Sequence, residues 1–413
     1  MKFFFPDSQD QIDPCFDFLA EERGIFRVRQ RDDHYAHEAL REPPFNGLLV
    51  SKAIVDGTAR GVGKYTVSQR HRLYRQGAER FFRLNHARRS LEIMGDCGAF
   101  NYAREDVPPY TPDDVIDFYQ ECGFDLGVSV DHVIFGYNPA TDHGTPDPAL
   151  RDWSRRQDLT LELAAEFLTA CRRRKTTFEP LGVAQGWSPV SYAHSVATLQ
   201  KIGYQRIALG GMVPLKTHDI MACLTAIDDV RENTTQLHLL GISRCGNATG
   251  FASLGVTSFD TTSPFQQAFK DDKDNYYTLD RTYVAIRVPQ VDGNNKLKNA
   301  IRAGRISQDT AIALERECLR ALRAYAVHEA RLADVLNALR AYESLYDPRK
   351  DHSDVYRQTL ADRPWEQCAC GICERIGVEV ILFRGSERNK SRGFHNLHVF
   401  SHQLDRELAG SSA

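Results

Sequence analysis

Short apolar runs alternate with amphipathic segments through the first 260 residues of the chain. The apolar runs show no regular alternation with polar residues, which is typical of strands buried on both faces of a parallel sheet. We therefore predict buried parallel strands at residues 46–54, 91–96, 126–134, 178–186, 206–212, 237–242 and 256–260.

The segments between these runs have the apolar spacing of amphipathic helices. We predict helices at residues 111–123, 159–171, 191–203 and 218–227. The first has a complete set of end signals, with Thr111 as cap, Pro112 in the first helical position and Gly123 at the end. Repeated strand–helix units over this length favour an α/β fold of the (β/α)8 TIM-barrel type. No G-x-G-x-x-G motif follows the first predicted strand, which argues against a dinucleotide-binding sheet.

The pattern becomes helical after about residue 295. We expect the main part of the barrel domain in residues 1–294 and a helical insertion in residues 295–350. A zinc-binding subdomain would follow in residues 351–413. It would contain the last strand, residues 377–385, which we place just before the barrel closes, and a C-terminal helix.

The composition limits which ligands and which cellular location this fold can have. The 413 residues are 42% hydrophobic and 26% charged, enough for a sizeable core, and the formal net charge is -3. Any basic surface for nucleic acid must therefore be local. The N-terminal apolar run is too short for a signal peptide, and no run of 18 apolar residues indicates a membrane span. We expect a soluble cytoplasmic protein.

Three cysteines lie close together in C-A-C-G-I-C, at Cys368, Cys370 and Cys373. Thiolates at this spacing are typical zinc ligands, and a fourth ligand would come from His395, His398 or His402. A reduced cysteine cluster without metal is the alternative. The basic run between the thiols and the histidines predicts phosphate contacts, although it can equally be a solvated face; its cations are Arg384, Arg388, Lys390 and Arg392.

Residues suited to chemistry follow the predicted strands, where a barrel places its active site. They are Asp96, Asp131, Gln185, Gly210, Gly211 and Asp260. A lone aspartate there is often only a helix cap, and a glycine pair is often only a turn. Together, two carboxylates can break a glycosidic bond as nucleophile and acid/base, while the other groups read a purine edge. Phe100 is placed to stack on the base.

These motifs together resemble the tRNA-guanine transglycosylase superfamily, and more closely its DNA-modifying branch, the DNA-guanine transglycosylases of 7-deazaguanine DNA modification systems. The resemblance covers roughly residues 40–400. It rests on D-C-G-A-F at Asp96, V-A-Q-G at Gln185, A-L-G-G at Gly210–Gly211, F-D-T-T-S-P at Asp260, and C-A-C-G-I-C followed by H-N-L at His395.

The resemblance implies a role for each matching residue. Asp260 would be the nucleophile that forms a covalent glycosyl-enzyme intermediate, and Asp96 the general acid/base. The 7-deazaguanine base would be bound at its edge by Asp131, Gln185 and the Gly210–Gly211 pair, and sandwiched by Phe100 and Leu240. Cys368, Cys370, Cys373 and His395 would hold a structural Zn²⁺, and no nucleotide or redox cofactor is implied.

One departure favours DNA over tRNA as the substrate. The tRNA enzymes continue their nucleophile motif with P-T-R and then R-N-G, whereas this chain reads P-F-Q-Q-A-F-K from Pro264 and has no R-N-G. The resemblance thus implies a flipped or single-stranded guanine in DNA, a 7-deazaguanine base such as 7-cyano-7-deazaguanine (preQ0), and helper proteins of a DNA modification system. The alternatives are a tRNA-guanine transglycosylase with altered anticodon contacts and an inactive zinc-bearing barrel that only binds nucleic acid.

Overall fold

The structure, a computed structural model, describes residues 1–58, 61–87, 89–271 and 273–410. It divides into two compact units that interleave along the chain. Unit 1 comprises residues 1–9, 45–262 and 404–413, and unit 2 comprises residues 10–44 and 263–403. The sequence prediction instead divided the chain into consecutive segments at residues 294 and 350.

Unit 1 is built on a closed barrel of eight parallel strands. The strands are β1 (Lys2–Pro6), β2 (Gly47–Ser51), β3 (Glu92–Asp96), β4 (Leu126–Val128), β5 (Glu179–Ala184), β6 (Arg206–Leu209), β7 (Gln236–Leu239) and β8 (Val256–Asp260). Neighbours in the barrel are also neighbours in the chain, and β1 closes it by pairing with both β2 and β8. The predicted α/β TIM-barrel class is confirmed.

One strand prediction is wrong. Residues 377–385 do not close the barrel, because β1 does so, with Phe4 opposite Asp260 on one side and Gly47 on the other. That late segment forms a 3₁₀ helix, Gly377–Ile381, and a two-residue strand, Leu382–Phe383, paired with Ile286–Arg287. The apolar run is buried, but it belongs to unit 2 and not to the barrel.

The four predicted helices of unit 1 are present; the one predicted at 111–123 spans Pro112–Cys122, and the other three are longer than predicted. Thr111 accepts a hydrogen bond from the Asp114 backbone N–H, and Gly123 ends that helix with φ 69°. The α-helices of unit 1 are Lys52–Asp56, Val67–Gln76, Ala78–Phe81, Pro112–Cys122, Leu150–Arg174, Pro189–Ile202, Thr217–Asp228 and Ala248–Ser253. Short 3₁₀ helices lie at Leu84–His86, Ala99–Tyr102, Pro139–His143 and Cys245–Asn247, and a two-stranded hairpin at Gly57–Thr58 and Gly61–Val62.

Unit 2 is mostly helical, as predicted for the chain after residue 295. Its α-helices are Ala36–Ala39, Ser263–Gln267, Asn295–Arg302, Gln308–Ala326, Leu332–Tyr346, Ser353–Asp362 and Gly371–Ile376, and a final helix, Gly385–Ala409, runs from it into the end of the chain. A second hairpin pairs Asp274–Tyr277 with Thr282–Val284. Among the described residues, no helix is both long and apolar enough to cross a membrane.

Apolar side chains of the strands fill the inside of the barrel. The buried cluster consists of Phe4, Leu49, Met94, Leu126, Val128, Leu181, Val183 and Ala208, and Leu240 packs against it. Close packing of this kind fixes the strands and hence the residues that follow them. The residues at the carboxyl ends of the strands are therefore held in fixed positions.

Candidate active site

Two carboxylates stand at the carboxyl ends of their strands, Asp96 at the end of β3 and Asp260 at the end of β8. Parallel strands bring all such ends to one rim of the barrel. The other predicted site residues of the barrel follow β4, β5, β6 and β7 at the same rim, or lie in the short helix after β3; they are Asp131, Gln185, Gly210, Gly211, Leu240 and Phe100.

The Asp260 carboxylate is held through one of its oxygens. Oδ1 accepts a hydrogen bond from the Gly241 backbone N–H at 3.0 Å, and Nε2 of His238 lies 3.2 Å from the same oxygen. His238 is itself held at Nδ1, 2.8 Å from the Ser258 hydroxyl. Within the described part of the chain, Oδ2 of Asp260 has no hydrogen-bond partner. The carboxylate is thus oriented at one oxygen and available at the other.

Asp96 sits in a strongly acidic environment. Burial, together with the negative charges of Asp131 and Asp260, raises the pKa of its carboxyl to about 7, while the nearby Gly98 N–H and Ser51 hydroxyl act in the opposite direction. The residue keeps part of its surface accessible. An accessible carboxyl with a pKa near neutrality can both give and take a proton.

Asp131 and Gln185 form one buried hydrogen-bonded pair. The Gln185 amide donates from Nε2 to Oδ2 of Asp131 at 2.6 Å, and its Oε1 accepts from the Ile134 N–H at 3.1 Å. The Cys97 thiol donates to Oδ1 of Asp131 at 3.1 Å. Burial raises the pKa of Asp131 to about 6, against the lowering effect of these two donors. Both side chains are fixed before any ligand arrives.

Glycine is required at both positions after β6. A Cβ on Gly210 would lie 2.2 Å from Nε2 of Gln185, and one on Gly211 would lie 2.4 Å from the Ile134 carbonyl oxygen. Gly211 also has φ +77°, a conformation that disfavours other residues. The predicted Gly-Gly turn therefore lies against the predicted Gln185, and both glycines are buried.

The predicted stacking residue Phe100 lies in the short helix after β3. It is 54% exposed, and its ring centroid lies 5.1 Å from that of Phe135, another largely exposed phenylalanine. Exposed aromatic rings at a rim are surfaces on which a planar base can stack. Phe135, which follows β4, was not singled out in the sequence.

Four side chains of unit 2 form a candidate metal centre. The ligand atoms of Cys368, Cys370, Cys373 and His395 all lie within 4.8 Å of one another. The three sulfurs are 3.4, 3.6 and 3.3 Å from Nδ1 of His395. Bond lengths for tetrahedral zinc imply a sulfur–nitrogen separation of about 3.5 Å. The group can hold a metal ion, and its geometry fits the size of Zn²⁺.

His395 is selected over the other two histidines by its position. Its Nε2 lies 2.8 Å from the Tyr277 carbonyl oxygen, which orients Nδ1 towards the sulfurs, and its ring stacks on Tyr276 at 4.1 Å. His398 and His402 instead pack against each other, with ring centroids 4.4 Å apart. A second contact of this kind on a ligand imidazole is usual at metal sites.

Comparison with known proteins gives one extensive match. The chain is 48% identical over 413 residues to a DNA-guanine transglycosylase of Salmonella montevideo, an alignment that covers 99% of this chain and 98% of that protein. The chain belongs to the DNA-guanine transglycosylases, the DNA-modifying branch of the guanine transglycosylase superfamily. No family model matches the chain. Membership makes it an enzyme of the glycosyltransferase type.

The structure of this transglycosylase corrects the prediction that Arg384, Arg388, Lys390 and Arg392 form a nucleic-acid-binding loop. Residues 384–392 are not a basic loop, since the final helix begins at Gly385, and Arg384, Arg388 and Arg392 are buried. Their acceptors include the carboxylates of Glu21, Glu315 and Glu379 and the backbone carbonyls of Ala268, Val380 and Leu382. Lys390 is partly exposed and donates to the Gln11 carbonyl oxygen at 3.0 Å. Guanidinium groups that are buried and paired do not reach phosphates.

Two residues of the transglycosylase site were missed in the sequence. His238 supports Asp260, and Tyr102 donates to the Cys97 sulfur at 3.0 Å behind Asp131. His238 carried a signal, because it is a polar residue within the apolar run of β7. Tyr102 carried none, since a buried tyrosine near a strand end is ordinary core.

Proposed function

We propose that this enzyme exchanges guanine in DNA for a 7-deazaguanine base, such as 7-cyano-7-deazaguanine, through a covalent intermediate on Asp260. The observation that carries the proposal is the Asp260 carboxylate, fixed at Oδ1 and without a partner at Oδ2, in a chain whose relative is named a DNA-guanine transglycosylase. A neighbouring carboxyl with a pKa of about 7 supplies the proton that such an exchange needs.

In the first displacement, Oδ2 of Asp260 attacks C1′ of the target deoxyguanosine. The bond between C1′ and N9 of guanine breaks, its electron pair stays with guanine, and the carboxylic acid form of Asp96 gives guanine a proton. The Gly241 N–H and His238 hold Oδ1 throughout, so that the attacking oxygen keeps one direction.

The second displacement reverses these roles. The Asp96 carboxylate takes the N9 proton of the incoming base, N9 forms the bond to C1′, and Asp260 leaves as a carboxylate. Two inversions at C1′ restore the starting configuration, as in retaining glycosidases. A pKa near 7 suits Asp96 to both steps, because acid and base forms are both abundant at neutral pH.

The groups that recognise the base are those that follow strands β4, β5 and β6. The Asp131 carboxylate accepts hydrogen bonds from the pyrimidine edge of guanine or deazaguanine, while the second amide hydrogen of Gln185 and the Gly211 backbone N–H donate to its carbonyl oxygen. Phe100 and Leu240 provide the apolar surfaces for the ring faces. A base in a duplex must leave the stack to reach these groups.

For the metal centre we propose a structural zinc ion held by Cys368, Cys370, Cys373 and His395. Three thiolates and one imidazole complete a tetrahedral shell, which leaves no position for a reacting water. When bound, the ion would tie the Cys368–Cys373 turn to the final helix. The chemistry of exchange belongs to the aspartates of the barrel.

Incorporation of radiolabelled base tests this function against the tRNA alternative. Purified protein is incubated with labelled guanine or 7-cyano-7-deazaguanine and either duplex DNA or tRNA. Label in DNA, dependent on Asp260, is the expected result. Label in tRNA alone would overturn the assignment of DNA as substrate.

A further inference from the structure

One segment of unit 1 is far more basic than the rest of the chain. Between Gly57 and Ser90 there are nine lysine and arginine residues and a single acidic residue, Glu79, in a protein of net charge -3. We call residues 60–89 the basic segment. A local concentration of positive charge on an acidic protein indicates an anionic partner.

The basic segment leaves the barrel beside the candidate active site. Strand β2 ends at Ser51, which is opposite Asp96 in the parallel pairing of β2 with β3. The chain after Ser51 stays close to β3, since a Cβ on Gly98 would lie 2.5 Å from Cβ of Ala53. Within the segment, the Lys64 N–H donates to the Ile54 carbonyl oxygen at 2.8 Å, and the Tyr65 hydroxyl donates to Oδ2 of Asp7, the residue after β1, at 2.6 Å. Residues 64–65 therefore pack on chain that follows β1 and β2, at the rim where the two carboxylates stand.

The helix Val67–Gln76 gives the basic segment a fixed inner and outer face. Thr66 caps its first turn by accepting from the Gln69 N–H, and Gln69 and Leu73 are buried. His71 and Arg75, four residues apart, are exposed on the other side. Arg75 therefore projects from a packed helix, and Arg80 lies in the short helix Ala78–Phe81 that follows it.

Three exposed cations of this segment lack an acidic partner. Lys64, Arg75 and Arg80 are exposed and make no ion pair in the described part of the chain. Other exposed or partly exposed arginines are engaged; Arg174, for example, pairs with Asp117 and Asp113, and Arg320 with Glu317. Unpaired exposed cations are free to neutralise a ligand's charges without breaking a native contact.

We propose that Lys64, Arg75 and Arg80 bind the phosphates of the DNA strand that flanks the target guanine. DNA is the occupant because the patch offers several separate cations to a chain of regularly spaced anions, and because its chain segment starts at the rim where the base is exchanged. The choice of DNA rests on the proposed function, whereas the existence of the anion-binding patch rests on the charges alone.

The test compares two triple variants with the same change in net charge. The first is Lys64→Gln/Arg75→Gln/Arg80→Gln. The control is Arg31→Gln/Arg320→Gln/Arg331→Gln, which removes three exposed arginines that are each paired with an acidic side chain. Binding of a fluorescent DNA duplex is measured by anisotropy at several KCl concentrations, and thermal melting verifies that both variants fold.

The first variant is expected to lower the slope of log K against log salt by about 2–3, since each lost phosphate contact removes ~0.9. Its affinity near 0.1 M salt should fall at least ~10-fold, and its KM for DNA should rise. An equal change in both variants would refute the patch, since it would reflect net charge alone. Loss of tRNA binding with unchanged DNA binding would refute DNA as the occupant.

The same experiment separates this inference from the proposed function. If the wild type incorporates no labelled base into DNA, the proposed function fails, yet a slope difference between the two variants still supports the patch. If the wild type exchanges guanine in DNA and both variants bind like it, the proposed function stands and the patch is refuted.

Discussion

Replacement of Asp96 by asparagine is expected to stabilise the protein above neutral pH while abolishing base exchange. The pKa of this carboxyl is about 7 in the folded protein against the usual 3.8, because burial and the charges of Asp131 and Asp260 oppose its ionisation. Asparagine keeps an acceptor for the Gly98 N–H and carries no charge. The substitution removes a repulsion that the wild type must bear for function.

The size of the effect follows from the difference between the two pKa values. A raised carboxyl pKa means that the folded state holds its proton while the unfolded state loses it, so wild-type stability falls as pH rises from about 4 to about 7 and then levels off. The difference between the folded and the unfolded pKa of Asp96 corresponds to about 4 kcal/mol of stability. The partial exposure of Asp96 reduces this to roughly 2–4 kcal/mol. The apparent Tm of Asp96→Asn should exceed that of the wild type by roughly 2–5 °C at pH 8.

The assay is thermal unfolding of both proteins from pH 4 to pH 8, with base incorporation measured alongside. Asp106→Asn, which removes an exposed carboxylate outside the site, is the surface control and should show no growing difference with pH. The reasoning is refuted if Asp96→Asn melts below the wild type at pH 8, or if its gain is the same at pH 4 and pH 8.

Three further substitutions test other parts of the account. Asp260→Asn should give no denaturant-resistant adduct between protein and DNA, whereas the wild type should; an adduct in both would exclude Asp260 as the nucleophile. His238→Phe leaves Oδ1 of Asp260 with only the Gly241 N–H and should slow adduct formation roughly 10–100-fold with DNA affinity unchanged; an unchanged rate would contradict the positioning role. Cys370→Ser should lower the zinc content measured by elemental analysis and the Tm by roughly 5–10 °C; full zinc content with an unchanged Tm would show that Cys370 is not a ligand.

Most of the barrel could be predicted because its strands are buried on both faces. Seven apolar runs gave seven of the eight strands. The eighth, Lys2–Pro6, was missed because its apolar run was considered only as a signal-peptide candidate, and its pairing with β8 joins positions more than 250 residues apart. The barrel strand predicted at 377–385 is absent for a different reason. An apolar run shows burial without showing whether the backbone is extended or helical.

The candidate site was predictable where a motif fixes a backbone position. Asp96, Asp260 and the Gly210–Gly211 pair stand at the strand ends where their motifs placed them. The basic run was misjudged because its acidic partners, such as Glu21 and Glu315, are distant in the sequence and meet it only in the folded unit. A run of basic residues in the sequence does not show where its acidic partners lie. It therefore cannot distinguish a phosphate-binding surface from a buried ion-pair network.

Nucleoside mass spectrometry of host DNA tests the central claim most directly. DNA would be compared from cells carrying the wild-type protein, Asp260→Asn or no copy, which keeps any helper proteins present. A 7-deazaguanine deoxynucleoside that appears only with the wild type is the predicted result. Host DNA with unmodified guanine in all three strains, together with a 7-deazaguanine nucleoside in tRNA that depends on the wild-type protein, would contradict it.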